Sequence, residues 1–110
     1  MAALVTNTIG REATTPTAPG VPDSAVTIPS PGRGKIYRVI VGATSTTITV
    51  NRYGTNPAGD DKADLVYSGL TNTRRDIPIT GEFRDPSTGN ALVDFSQTTN
   101  VTAELLVVSI

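Results

Sequence analysis

Residues 35–52, KIYRVIVGATSTTITVNR, decide the fold class. The first seven, 35–41, are β-branched, aromatic and apolar on both faces except at Lys35 and Arg38, which is the pattern of a strand covered from two sides. Gly42, Ala43, Thr44 and Ser45 supply a turn. Residues 46–52 then alternate, with Ile48 and Val50 on one side and Thr47, Thr49 and Asn51 on the other. The two runs together predict a β-hairpin.

Working toward the C-terminus, residues 53–61 (YGTNPAGDD) have loop composition, and Leu65, Val66 and Tyr67 form a short strand closed by Ser68 and Gly69. Residues 74–79 (RRDIPI) are a further strand, which Pro78 confines to an edge or a bulge. Asp85, Pro86, Ser87, Thr88 and Gly89 make a turn, and 91–95 (ALVDF) and 101–110 (VTAELLVVSI) are the last strands. The expected core is Ile36, Val39, Val41, Ile48, Val50, Leu92, Phe95, Leu105 and Val107.

Toward the N-terminus the composition changes. Residues 4–9 (LVTNTI) suit a short strand or a pairing arm. Between 10 and 34 lie Pro16, Pro19, Pro22, Pro29 and Pro31, each of which fixes φ and deletes a backbone donor. Only Ala25, Val26, Thr27 and Ile28 look able to pair there. Extended, this segment would reach ~80 Å. The chain therefore divides into an arm, 1–34, and a domain, 35–110. Seven or eight short strands with turns about every ten residues predict an all-β fold: a sandwich, a jelly roll or a small barrel.

Composition excludes much chemistry. The chain has no His and no Cys, so His-based triads, thiolate nucleophiles and the usual zinc and copper sites cannot be built. No catalytic residue, metal or cofactor is expected. Asp60, Asp61 and Asp64 share a loop with Lys62 and miss the spacing of an EF-hand loop. Asp94 and Glu104 fall on strands expected to be neighbours, where they read as solvent-facing residues. Gly32-Arg33-Gly34 precedes a strand and not a helix, unlike a phosphate loop. A net charge of −1 argues against nucleic acid as a partner, and no stretch approaches a membrane span. Met1 reads as the start of the mature chain, made in a cytoplasm. Tyr53 is the best candidate for an exposed aromatic.

One arrangement of residues is familiar. A Pro/Thr-rich stretch leads to GRGKIYRVIV, the Ser/Thr run TSTTITV, a strand with Ile-Pro-Ile, a Phe-Arg-Asp turn and the closing run ALVDFSQTTNVTAELLVV. In outline, over residues 30–110, this resembles the small capsid decoration proteins, or cement and staple proteins, of tailed bacteriophages. The resemblance implies a jelly-roll-like β-sandwich of antiparallel strands with an extended N-terminal arm. It implies a structural virion protein on the outer surface of the capsid, bridging copies of the major capsid protein as a homo-dimer or trimer. The residues expected to meet that partner are Leu4, Val5, Ile9, Arg11, Pro16, Pro19, Val21 and Pro22 on the arm, with Arg33, Lys35, Arg74, Arg75 and Arg84 as basic rims. A head–tail joining or tail component and a carbohydrate-binding β-sandwich are the alternatives. Labelling at one vertex would mark the first, and glycan binding lost with Tyr53 the second.

Overall fold

The computed structural model describes residues 4–9, 18–32, 34–54, 57–59 and 63–108. Eight strands run in order: β1 (Thr6–Ile9), β2 (Ala25–Pro29), β3 (Lys35–Val41), β4 (Thr46–Val50), β5 (Leu65–Leu70), β6 (Thr73–Pro78), β7 (Asn90–Phe95) and β8 (Val101–Val108). A single turn of 3-10 helix, Gly81–Phe83, precedes β7, and there is no α-helix among the described residues. The strands form two sheets of four, ordered β1-β8-β3-β6 and β2-β7-β4-β5. All pairs are antiparallel except β1 with β8, which is parallel, so the expectation of wholly antiparallel strands fails at β1.

The expected hairpin does not form. β3 pairs with β6 and β8, whereas β4 pairs with β5 and β7 in the other sheet. Tyr37, Val39 and Val41 on β3 and Thr46, Ile48 and Val50 on β4 are all buried, and their apolar members belong to one core cluster. Paired edge to edge, these strands would put both apolar rows on one face with no layer opposite. Crossing between the sheets makes each row the other's cover. The corner is held at Gly42, whose N–H donates to the Asn100 carbonyl and whose carbonyl accepts from the Asn72 N–H, both at 2.8 Å.

Alternation is clean in β7, where Ala91, Val93 and Phe95 are buried and Asn90, Leu92 and Asp94 are not. Leu92 and Ile36 are therefore not inner core residues: each has the parity of the outer face. Tyr37 takes the place expected of Ile36, and its ring meets that of Phe95 at a centroid distance of 6.4 Å, tilted by 59°. Ile28, Ile77, Ile79, Phe83, Val93 and Val101 complete a core larger than expected. β5 continues past Ser68 because Gly69, at φ +63°, accommodates a bulge where the register against β4 shifts. Its last residue, Leu70, is thereby returned to the core.

The described parts of 1–34 belong to the two sheets. β1 lies along β8, β2 along β7, and Gly20 bridges Ala103 through N–H···O bonds of 3.2 and 2.8 Å. Two outcomes are expected from this packing. Ile48→Ala, at a fully buried position, lowers the unfolding free energy by about 2–5 kcal/mol in urea titrations. Gly34 has φ +81° and leaves only 2.7 Å between an added β-carbon and the Val108 carbonyl oxygen, whereas Gly32 faces open space. Gly34→Ala therefore destabilises by about 1–3 kcal/mol, and Gly32→Ala changes stability by less than about 1 kcal/mol.

Candidate partner interface

The residues expected on a partner surface separate into two groups. Leu4 packs partly buried against the core, and the Val5 carbonyl accepts the Leu105 N–H at 2.7 Å. Ile9 pairs through its backbone with Val108. Pro19 and Val21 are exposed, Val21 at 53%, while Pro22 is buried. Arg11, Pro16 and Arg33 lie outside the described residues, as do Asp60, Asp61 and Lys62.

Leu4, Val5, Gly20 and Pro22 come together around a cleft of about 290 Å³ where the sandwich opens between the β1 and β2 edges. Ala25, Val26, Tyr37 and Ala103 share its walls with Asp23 and Thr27, so its exposed lining mixes polar backbone and side-chain atoms with apolar side chains. Val21, flanked by Gly20 and Pro22 in sequence, stands exposed next to these lining residues. The β8 edge below is already occupied in cis by Thr6–Ile9 and by Gly20. What this strip offers a partner is therefore side-chain area beside the sheet's edge strand, β1.

Among the described residues, the basic rims do not gather into one patch. Lys35 Nζ donates to the carbonyls of Pro29 and Ser30, each at 2.7 Å, so its charge is held within its own turn. Arg74 sits opposite Ile40, about 17 Å along β3 from Lys35 at strand rise, and its guanidinium lies 3.6 Å from Asp76. Arg75 points across the open edge onto the Tyr67 ring, 5.8 Å from its centroid, which ties β6 to β5. Arg84 is exposed beside the turn at Gly89.

An unexpected group lies on the outer face of the first sheet. Asn7 Nδ2 donates to Glu104 Oε2 at 2.6 Å, and Arg38 reaches Glu104 at 3.7 Å and Asp76 at 2.9 Å. This row crosses β1, β8, β3 and β6. Asn7 and Glu104 are buried, so their charge-assisted bond contributes on the order of 1.5–3 kcal/mol, against roughly 0–1 kcal/mol for the more exposed Arg38–Asp76 pair. The sequence signal was a charged residue, Glu104 or Arg38, in the interior of each of two apolar runs, VTAELLVV and KIYRVIV. Asp94 and Glu104, expected on neighbouring strands, stand on opposite outer faces because β7 and β8 are in different sheets. Among the described residues, no three Asp or Glu side chains group as a metal site.

Tyr37 joins this cleft to the core, and burial pushes its hydroxyl well above the ordinary tyrosine value of 10.0. Above that pH the unfolded chain releases the proton and the folded chain keeps it. The stabilisation is therefore complete below about pH 10 and falls as pH rises, with a slope approaching about 1.4 kcal/mol per pH unit. Denaturant unfolding at several alkaline pH values should show this fall in the native protein, and Tyr37→Phe should remove it. Comparison with family models, with curated proteins and with solved structures finds no match to this chain.

Proposed function

We propose that this chain is a non-catalytic, jelly-roll-like module that decorates the outside of a phage capsid and clamps neighbouring major capsid subunits as a homo-dimer or trimer. The strand orders β1-β8-β3-β6 and β2-β7-β4-β5 support the jelly-roll reading, since they are the order produced when an eight-stranded antiparallel ribbon is wound into two sheets. The parallel β1 is the departure: it is added to the β8 edge from the opposite direction.

The observation that carries the functional reading is the strip along the β1 and β2 edges, where Leu4, Val5 and Pro22 line a cleft and Val21 stands exposed beside it. A shell accessory protein must touch several subunits and bury more than ~1,000 Å² in doing so. A segment laid along the sandwich edge supplies such area, and its prolines reduce the entropy lost when it is pinned. Binding only the mature shell stabilises that state by mass action, and many copies add avidity.

Removing residues 1–34 would also remove β1 and β2, so a point substitution is the cleaner test. Val21→Asp places a charge on the strip without touching the core, and Val66→Asp does the same on the exposed outer face of β5. Sedimentation with expanded capsids should show binding by the native chain and Val66→Asp, and a loss of about tenfold or more with Val21→Asp. Equal binding by all three removes the strip from the interface. Gold labelling confined to one vertex, instead of spread over the shell, points to a head–tail component.

A further inference from the structure

A second cleft, of about 220 Å³, is lined by Thr27, Tyr53, Asp85, Thr88, Asn90 and Leu92, with Ala91 beneath. Its floor is the outer face of the second sheet, where Thr27 and Leu92 are register partners. One wall is Tyr53. The loop that carries it is tied down by Asn51 N–H to the Leu92 carbonyl at 3.2 Å and by Tyr53 N–H to the Glu82 carbonyl at 3.1 Å.

The other wall is the turn that reads as Asp-Pro-Ser-Thr-Gly in the sequence, and it is rigidly built. Asp85 N–H donates to the Asn90 carbonyl at 2.9 Å, and Gly89 N–H to the Asp85 carbonyl at 2.7 Å. Ser87 N–H takes Asp85 Oδ1 at 2.8 Å, and Asn90 N–H takes the Thr88 hydroxyl oxygen at 3.3 Å. These bonds engage one carboxylate oxygen of Asp85, which leaves Oδ2 to accept from a ligand. The Asn90 amide supplies two donors and an acceptor.

We propose that this cleft binds one neutral sugar ring. A pyranose has an apolar C–H face and a rim of hydroxyls. Tyr53 and Leu92 offer the apolar surface, and Asp85, Thr88, Asn90 and Thr27 offer acceptors and donors around it. The volume is below the ~300–1,000 Å³ of pockets for drug-sized molecules, which suits a single ring or a chain end. The one charged lining residue is a carboxylate, so phosphate and acidic sugars are disfavoured. Because the turn and the backbone at Asn51 and Tyr53 are held by hydrogen bonds, little ordering of these residues is needed on binding. The site shares only Thr27 with the β1–β2 cleft, and it stands whether or not the chain decorates a capsid.

The test uses the full chain and a panel of methyl glycosides of glucose, galactose, mannose and N-acetylglucosamine, read by saturation-transfer NMR, with a glycan array for longer chains. At least one sugar should receive saturation from the protein. Tyr53→Phe keeps the ring and should retain binding within about threefold, whereas Tyr53→Ala should weaken it about tenfold or more. Asp85→Asn keeps the acceptor for Ser87 and removes the charge, and it should also weaken binding. Thermal unfolding of each variant separates loss of the site from loss of the fold. No transfer to any glycoside and no array signal overturns the proposal, as does binding that survives both Tyr53→Ala and Asp85→Asn.

Discussion

Mutual cover between two small sheets is the constraint on which the rest of the molecule depends. Only 37% of residues are hydrophobic and there is no Trp, so neither sheet can bury its inner face alone. Tyr37, Val39 and Val41 from one sheet and Ile48, Val50 and Val93 from the other join a single cluster, and each of these six is at most 2% exposed. The crossing at Gly42 follows from this need, because it delivers consecutive strands to opposite layers. Strand partners then come from distant parts of the chain: β3 lies beside β8 and β6, and β4 beside β7 and β5. Such pairing closes long loops before any contact forms, so folding of this chain depends strongly on non-local contacts.

The edges of a sandwich are its weak points, and here each is managed differently. β1 and Gly20 cover the β8 edge, and the Asn7–Glu104–Arg38–Asp76 row fastens β1 across the sheet to β6. On the far side, Arg75 over Tyr67 spans the gap between β6 and β5, while Pro78 lacks the donor that would invite a further strand there. The opening between β1 and β2 is left as a cleft. Prolines in this stretch exclude helix and limit backbone donors, so the chain can run along the edge without becoming a template for aggregation.

The two clefts differ in their lining residues. The β1–β2 opening is of mixed polarity and bordered by an exposed Val21, which suits a protein partner. The Tyr53 cleft is aromatic on one side and hydrogen-bonding on the other, which suits a small polar ring. Four of the described basic side chains, in contrast, are engaged locally: Lys35 by two carbonyls, Arg38 and Arg74 by carboxylates, Arg75 by an aromatic ring. A long-range attraction to an acidic surface is a weaker basis for recognition here than contact area.

Local features of the sequence were enough for the all-β class, most strand positions and the turns, because alternation, β-branching and Gly/Pro punctuation act over a few residues. The β2 pairing shows how far that reached: residues 25–28 were legible as a strand despite the prolines around them, whereas the bridge from Gly20 to Ala103, outside those four residues, was not. Tyr53, expected to be exposed, is only half-buried against the second cleft. Other matters only the tertiary structure decided. In KIYRVIV both faces are apolar, so alternation could not choose Tyr37 over Ile36 for the core. Nothing local distinguishes a hairpin from a crossing at Gly42, and nothing local brings Asn7 to Glu104 or Asp85 to Tyr53. These depend on which strands close the two layers, and that choice is made by burying apolar rows contributed from the whole chain.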